Sequence, residues 1–262
     1  MAEDRILVEP RGPVLCIGFN RPAKYNAFDI PMYQQLAAAY GRLDADPQLR
    51  CGLVHASGEH FTAGLELPQW APVLGAGRFP DLPPGGLEPF GLDPARRLGK
   101  PMVMAVQGIC FTVAIELMLA ADIRIAAADA RFGQIEVKRG IYPVGGATLR
   151  MVQEFGWGNA QRYLLTGDEF GAAEALRVGL VQEVVPVGQQ FDRALALAQS
   201  VAKQAPLAVQ TSLRSSRLAV EDSSRAAMAR LLPDLLALMK TEDVQEGVRS
   251  FIERREAQFK GR

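Results

Sequence analysis

The stretch from Lys100 to Arg150 constrains the fold more than any other part of the chain. An apolar run, Met102–Val106, lies between Lys100-Pro101 and Gln107-Gly108 and has the length and bounds of a buried strand. A helical apolar pattern then begins near Val113 and runs to Ala121, and a second apolar strand, Ile123–Ala127, follows. This order reads as a βαβ-like unit of an α/β fold. Glu116 falls in the first turn or so of the helix, where free N–H groups and the helix dipole favour a carboxylate. Glu136 comes 20 residues later (136 − 116). Two acids on separate elements beside a helix start could hold an anion between two acid/base groups. Taken alone, the pair reads more readily as a helix-start charge and a solvated loop residue.

The wording around the two acids decides between these readings. Lys100, Pro101, Gly108, Glu116, Leu117, Asp122, Ile123, Phe132, Gly133, Gln134, Glu136, Gly140, Pro143, Gly146, Thr148 and Arg150 fall without a gap on one known pattern. In ELMLAAD and FGQIEV the segment resembles the crotonase (enoyl-CoA hydratase/isomerase) superfamily. The resemblance implies an α/β, crotonase-like ββα spiral core over residues 1–190 and a C-terminal helical region over 191–262. It implies a substrate that is an acyl-CoA thioester, no permanently bound cofactor, and coenzyme A present only as part of the substrate.

Composition excludes other classes. The chain has 262 residues, 48% hydrophobic and 22% charged, enough for one sizeable core and a smaller appended unit. Lys+Arg and Asp+Glu are both 29, so nothing marks the chain for nucleic acid or for an anionic membrane surface. No apolar run approaches a membrane span, and MAEDRILVEP lacks the apolar core of a signal peptide; a cytoplasmic location is expected. Cys16, Cys51 and Cys110 are odd in number and far apart, which predicts buried, reduced thiols and no metal site. No Walker loop and no GxGxxG after a strand is present.

Before the central stretch, Ile6–Val8 and Val14–Phe19 around Arg11-Gly12-Pro13 predict a β-hairpin. Asp29 as N-cap and Pro31 in the first turn predict a helix to about Asp44. Between them, Asn20–Phe28 is similar to the family's adenine-side loop, so Lys24, Asn26 and Ala27 are implied CoA contacts, although a solvated turn lysine is as good a reading of Lys24. The strand Gly52–Ala56 leads into Ser57–Glu66, similar to the family's oxyanion loop. By that resemblance the Ala63 N–H is one oxyanion donor, and Ala63, Gly64 and Leu65 line the thioester. The proline-rich tract from Pro68 to Pro94 reads as irregular chain, a lid or pocket wall, with Trp70, Phe79 and Phe90 either contacting the acyl group or packed in the core.

Beyond Arg150, helices are expected at Val152–Trp157, Gly158–Thr166 and Ala172–Val178, a last strand at Val184-Val185-Pro186, and four helical segments at Phe191–Lys203, Leu207–Val220, Arg225–Met239 and Val244–Phe259. The apolar stripe Leu231, Leu232, Leu235, Leu236 and Met239 needs cover, and the resemblance implies a homotrimer or homohexamer. It also implies that Phe251 and Arg254 reach a neighbouring subunit's CoA.

The resemblance makes Glu116 and Glu136 the catalytic pair, and both being Glu favours hydration of a 2-enoyl-CoA. The second oxyanion donor maps onto the Val113 N–H. One departure stands out: the family's three glycines before the first Glu are here Thr112-Val113-Ala114, which changes volume and backbone freedom. Two further readings therefore stay open: another reaction of the superfamily, such as enoyl-CoA isomerisation or C–C hydrolysis, and an inactive oligomeric CoA-thioester-binding protein.

Overall fold

The computed structural model describes residues 4–221, 237 and 240–262, with the backbone alone at Phe251. Its strands are β1 (Ile6–Arg11), β2 (Val14–Phe19), β3 (Cys51–Ala56), β4 (Met102–Val106), β5 (Ile109–Phe111), β6 (Ile123–Ala127), β7 (Arg131–Gly133), β8 (Glu169–Gly171) and β9 (Glu183–Val185). β1 and β2 form the expected hairpin, with Ile6 opposite Phe19 and Arg11 opposite Val14. The large sheet runs β1-β2-β3-β4-β6-β9, and all pairings after the hairpin are parallel. The expected α/β class holds.

Parallel strands are covered on both faces, and that is why β4 is apolar at every position. Met102, Met104 and Val106 enter the main core with Met32, Tyr33 and Leu36 of helix α1 (Ile30–Ala45). Val103 and Ala105 point the other way, into a second cluster with Ala194, Ala198 and Ala202. Those alanines recur every four residues, so they line one stripe of a helix, Gln190–Ala202, and let it lie close on the sheet. The expected boundary at residue 190 therefore falls in front of a helix that belongs to the core.

α1 begins as its sequence dictates: Asp29 Oδ1 accepts from the Met32 N–H at 2.9 Å, and a proline stands in the first turn. The proline-rich tract departs from expectation. It opens with a regular helix, α2 (Leu67–Gly75), which contains Pro72. Pro72 removes one helical hydrogen bond. Trp70 offsets that loss: it is fully buried, and its Nε1 donates to the Phe28 carbonyl at 2.6 Å.

After β4 and β5 come α3 (Val113–Ala120), a 3-10 turn at Glu136–Arg139, α4 (Ala147–Phe155), α5 (Trp157–Thr166) and α6 (Ala172–Arg177). Gly156, at φ +75°, separates α4 from α5, so Trp157 opens the second helix and does not close the first. A small second sheet, β5-β7-β8, stands beside the large one and was not expected; three-residue strands carry too little pattern to be seen. The helix on the second face is α7, followed by α8 (Pro206–Glu221) and α9 (Glu242–Glu253). α9 stops at Glu253, short of the expected Phe259, because Arg254 turns to φ +53°. The expected Arg225–Met239 helix and its Leu231–Met239 stripe lie outside the described residues, apart from residue 237. Among the described residues no helix is long and apolar enough to cross a membrane, and all three cysteines are buried and unpaired.

Candidate active site

The loops that leave the carboxyl ends of β3 and β4 run side by side. Thr62 and Cys110 form a parallel bridge, with the Thr62 N–H donating to Ile109 O and the Phe111 N–H to Thr62 O. Two residues further along both segments, Gly64 meets Thr112: a Cβ added to Gly64 would stand 2.5 Å from Thr112 Oγ1. Gly64 also has φ +108°, so no other residue fits there without strain. One more step brings Leu65 level with Val113.

Ala63 is corrected at this point. Its N–H, expected to be an oxyanion donor, donates to Tyr25 O at 3.0 Å. Phe28 bridges Leu65 in parallel, using the Gly64 carbonyl and the Glu66 N–H. The Leu65 N–H then faces away from that bridge and finds no acceptor among the described residues. The Val113 N–H likewise has no acceptor among the described residues. Val113 is the first residue of α3, where no carbonyl lies a turn earlier to receive that N–H. The two unspent donors thus follow a few residues after the Thr62–Cys110 bridge that holds their segments side by side.

Thr112 takes φ +50° and ψ −105°. The structure shows how a chain without the glycine run keeps the loop: a β-branched residue accepts the left-handed backbone that glycine adopts freely.

Glu116 projects from the first turn of α3 and is 4% exposed. Its Oε1 accepts from the Gly145 N–H at 2.6 Å and more distantly from the Ala147 N–H at 3.5 Å. A side chain on Gly145 would stand 2.6 Å from Glu116 Oε2 and 2.9 Å from the Phe90 ring, so glycine is required for the carboxylate to be seated. Burial, then the charge of Glu136, push Glu116 up to about 8. Glu136 opens its 3-10 turn, also buried, and burial pushes it up to about 7. Gln134 Nε2 donates to Glu136 Oε1 at 2.9 Å. Glu136 Oε2 and Gln134 Oε1 are buried without a hydrogen-bond partner among the described residues. The site therefore holds two buried carboxyls raised toward neutral pH, one anchored by backbone and one with an oxygen uncommitted.

The other expected residues separate into three groups. Gly64 and Leu65 are at the site. Asn26 is fully buried, and its side chain is spent within the protein: Oδ1 accepts from the Arg21 N–H, and Nδ2 donates to Ser57 O and His60 O. It latches the loop and has no capacity left for a ligand. Ala27 likewise gives its carbonyl to Arg21 Nη1 at 2.8 Å. Lys24 lies exposed on that loop. Arg254 is not brought to the carboxylates of its own chain. The tail that follows it is held at the far end of the sheet, where Arg50 Nη2 donates to Phe259 O and Lys203 pairs with Glu256. The Phe251 side chain lies outside the described residues.

Of the tract's aromatics, Trp70 is core, whereas Phe90 packs on Tyr33 and on the wall beside Gly145. Arg21 was missed from sequence. It joins Glu66 at 2.5 Å and Asp29 at 3.4 Å, tying the two loops to the α1 cap. The acid at Glu66, where the family usually has Asp, was the available signal. His60 accepts from the Ile109 N–H at 3.3 Å and packs at a tilt against Tyr25, so it braces the loops.

Comparisons with known proteins give the chain its family. Residues 9–262 match the family described as enoyl-CoA hydratase/isomerase. The chain is 36% identical to the enoyl-CoA hydratase EchA19 of Mycobacterium tuberculosis, covering 98% of this chain and 96% of that one. It is 35% identical to the mevalonyl-coenzyme A hydratase SIDH of Beauveria bassiana, covering 96% and 92%. A crystal structure of a probable enoyl-CoA hydratase/isomerase from Mycobacterium abscessus superposes with a TM-score of 0.96 at 48% identity, over 99% of both chains. With paired buried glutamates and open backbone donors on that shared fold, the chain belongs to the enoyl-CoA hydratase/isomerase family, the crotonase superfamily, and is an enzyme of it.

Proposed function

We propose that this enzyme hydrates a 2-enoyl-CoA, adding water across the 2,3 double bond of the thioester. The observation that supports this reading best is the pair Glu116 and Glu136, both buried and both raised toward neutral pH. Two carboxyls that can each gain or lose a proton near neutral pH supply both halves of the reaction. One takes a proton from water as its oxygen bonds to C3; the other delivers a proton to C2. An isomerase needs only one such group to carry a proton between carbons.

The thioester oxygen is held by the Leu65 and Val113 N–H groups, in place of the Ala63–Val113 pair read from sequence. Donors of this kind stabilise the enolate-like transition state by about 3–4 kcal/mol each. Coenzyme A arrives and leaves with the substrate, and this chemistry calls on no permanently bound cofactor. On the CoA side the reading keeps Gly64, Leu65 and Lys24, together with Phe251 and Arg254 from a neighbouring subunit.

A homotrimer or homohexamer follows from the same reading. Leu149, Trp157 and Leu165 of α4 and α5 are 63%, 71% and 70% exposed in the single chain, an apolar surface that a second copy would cover. The helical region that serves assembly starts at α8, since α7 covers the sheet.

Crotonyl-CoA and longer 2-enoyl-CoAs test the proposal, with 3-enoyl-CoA isomerisation measured alongside. Wild-type hydration should fall at least ~10²-fold in both Glu116→Gln and Glu136→Gln. Hydration that survives Glu116→Gln would refute the two-glutamate mechanism and leave isomerisation by Glu136. A wild type that binds enoyl-CoA and turns over none would be an inactive binder.

A further inference from the structure

The geometry points to Thr112 as a third hydrogen-bond donor to the thioester oxygen, an inference that rests on the hydratase reading of the same site. Threonine is a favoured N-cap residue because its hydroxyl closes on the helix's free N–H groups. Thr112 occupies that position before α3, and its hydroxyl makes no capping bond. No other hydrogen bond uses it among the described residues, and the side chain is only half-buried. The hydroxyl instead stands in contact range of the Gly64 backbone, where a Cβ would be 2.5 Å from it.

That contact comes one residue before each of the two open donors. Leu65 and Val113 are each the next residue after the Gly64–Thr112 contact, and the Thr62–Cys110 bridge keeps the two segments in step. An oxygen held by both N–H groups is therefore bordered by Thr112 Oγ1. A neutral hydroxyl can rotate its hydrogen toward such an oxygen and strengthen its hold as negative charge develops there.

The backbone makes a passive role a poor explanation. A β-branched residue at φ +50° and ψ −105° carries strain of order 1–3 kcal/mol that glycine would avoid. Backbone strain retained at the point where charge develops fits a residue kept for what its side chain does.

Three variants separate a donor from an intruding side chain. Thr112→Gly removes the hydroxyl and relieves the strained backbone, so it should fold at least as well as wild type. Thr112→Val removes the hydroxyl and keeps the branch, and Thr112→Ser restores a hydroxyl. The readouts are kcat and KM for crotonyl-CoA, and the carbonyl chemical shift of butanoyl-CoA labelled with carbon-13 at C1, which binds without turning over. If Thr112 donates, Thr112→Gly and Thr112→Val lower kcat by about 10²-fold. Their bound carbonyl resonance moves upfield of wild type, and Thr112→Ser recovers most of both losses.

If wild type hydrates while Thr112→Gly matches or exceeds it with an unmoved resonance, the donor role is overturned and the hydratase reading stands. If wild type shifts the bound carbonyl, loses that shift in Thr112→Gly and hydrates nothing, the donor role stands and hydration falls. A wild type that leaves the labelled thioester unbound overturns both.

Discussion

The face of the sheet under α7 and the loops above its carboxyl ends are built on opposite principles. Under α7, Ala194, Ala198 and Ala202 meet Leu53, Val103, Ala105 and Ile125, all buried and apolar, with His55 edge-on to Phe191 beside them. In the loops, three of the four non-glycine residues of positive φ among the described residues occur: Tyr25, Asn26 and Thr112. Buried polar atoms without partners stand nearby, on Gln134 and Glu136, and two carboxyls are held away from their usual ionisation. The difference shows where this chain gains stability and where it gives some up. Close apolar packing elsewhere supports strained backbone and desolvated acids in the loops, where Glu136 keeps one oxygen without a partner among the described residues.

The contrast can be broken from either side. Gly145→Ala should break the loop side. It places a Cβ against the Glu116 carboxylate, and crotonyl-CoA hydration should drop by at least ~10²-fold with the fold intact by circular dichroism. Wild-type activity in that variant would show that the Glu116 seat is not needed. On the other face, Ala198→Leu overfills the α7 contact and should destabilise by about 1–3 kcal/mol in urea unfolding, with kcat of the folded enzyme unchanged. A loss of kcat without loss of stability would mean that the two regions are coupled.

The carboxyls also predict a pH signature. Glu116 and Glu136 titrate higher in the folded state than in the unfolded chain, so the folded protein binds more protons between the two values. The favourable contribution is fully present below the unfolded value, near pH 4.5, and is lost as pH rises through about 7 to 8. Glu116→Gln removes the charge that must be buried. Its Tm should exceed wild type by about 5 °C at pH 9 and match it at pH 4, read by calorimetry. An equal shift at both pH values would detach the effect from ionisation. The smallest effect belongs to the exposed rim. Lys24→Ala should raise the Kd for CoA by about threefold at low salt and less at high salt, as calorimetric titration would show.

Much of this was legible before any coordinates. Asp29 and Pro31 announced the start of α1 because a cap and a first-turn proline act within a few residues of chain. The apolar runs at Met102–Val106 and Ile123–Ala127 announced parallel strands because burial on both faces leaves no room for alternation. The spacing and wording of Glu116 and Glu136 pointed to paired acids, again a property of nearby residues.

Other features depended on partners far along the chain. Leu65 and not Ala63 has the open N–H because the Tyr25 carbonyl reaches Ala63, a choice made by loop docking. α2 forms around Pro72 because Phe28 and the core receive Trp70. Asn26 reads as a ligand contact in its motif and is a latch in the fold, since Ser57 and His60 bring carbonyls to it. Sequence by itself determined the long strands, the start of α1, the family through its motifs, and the two candidate acids. Tertiary structure alone decided which N–H groups remain unspent, how deeply the acids are buried and hence where they titrate. Those properties arise from hydrogen bonds and desolvation between segments that meet only when the chain has folded.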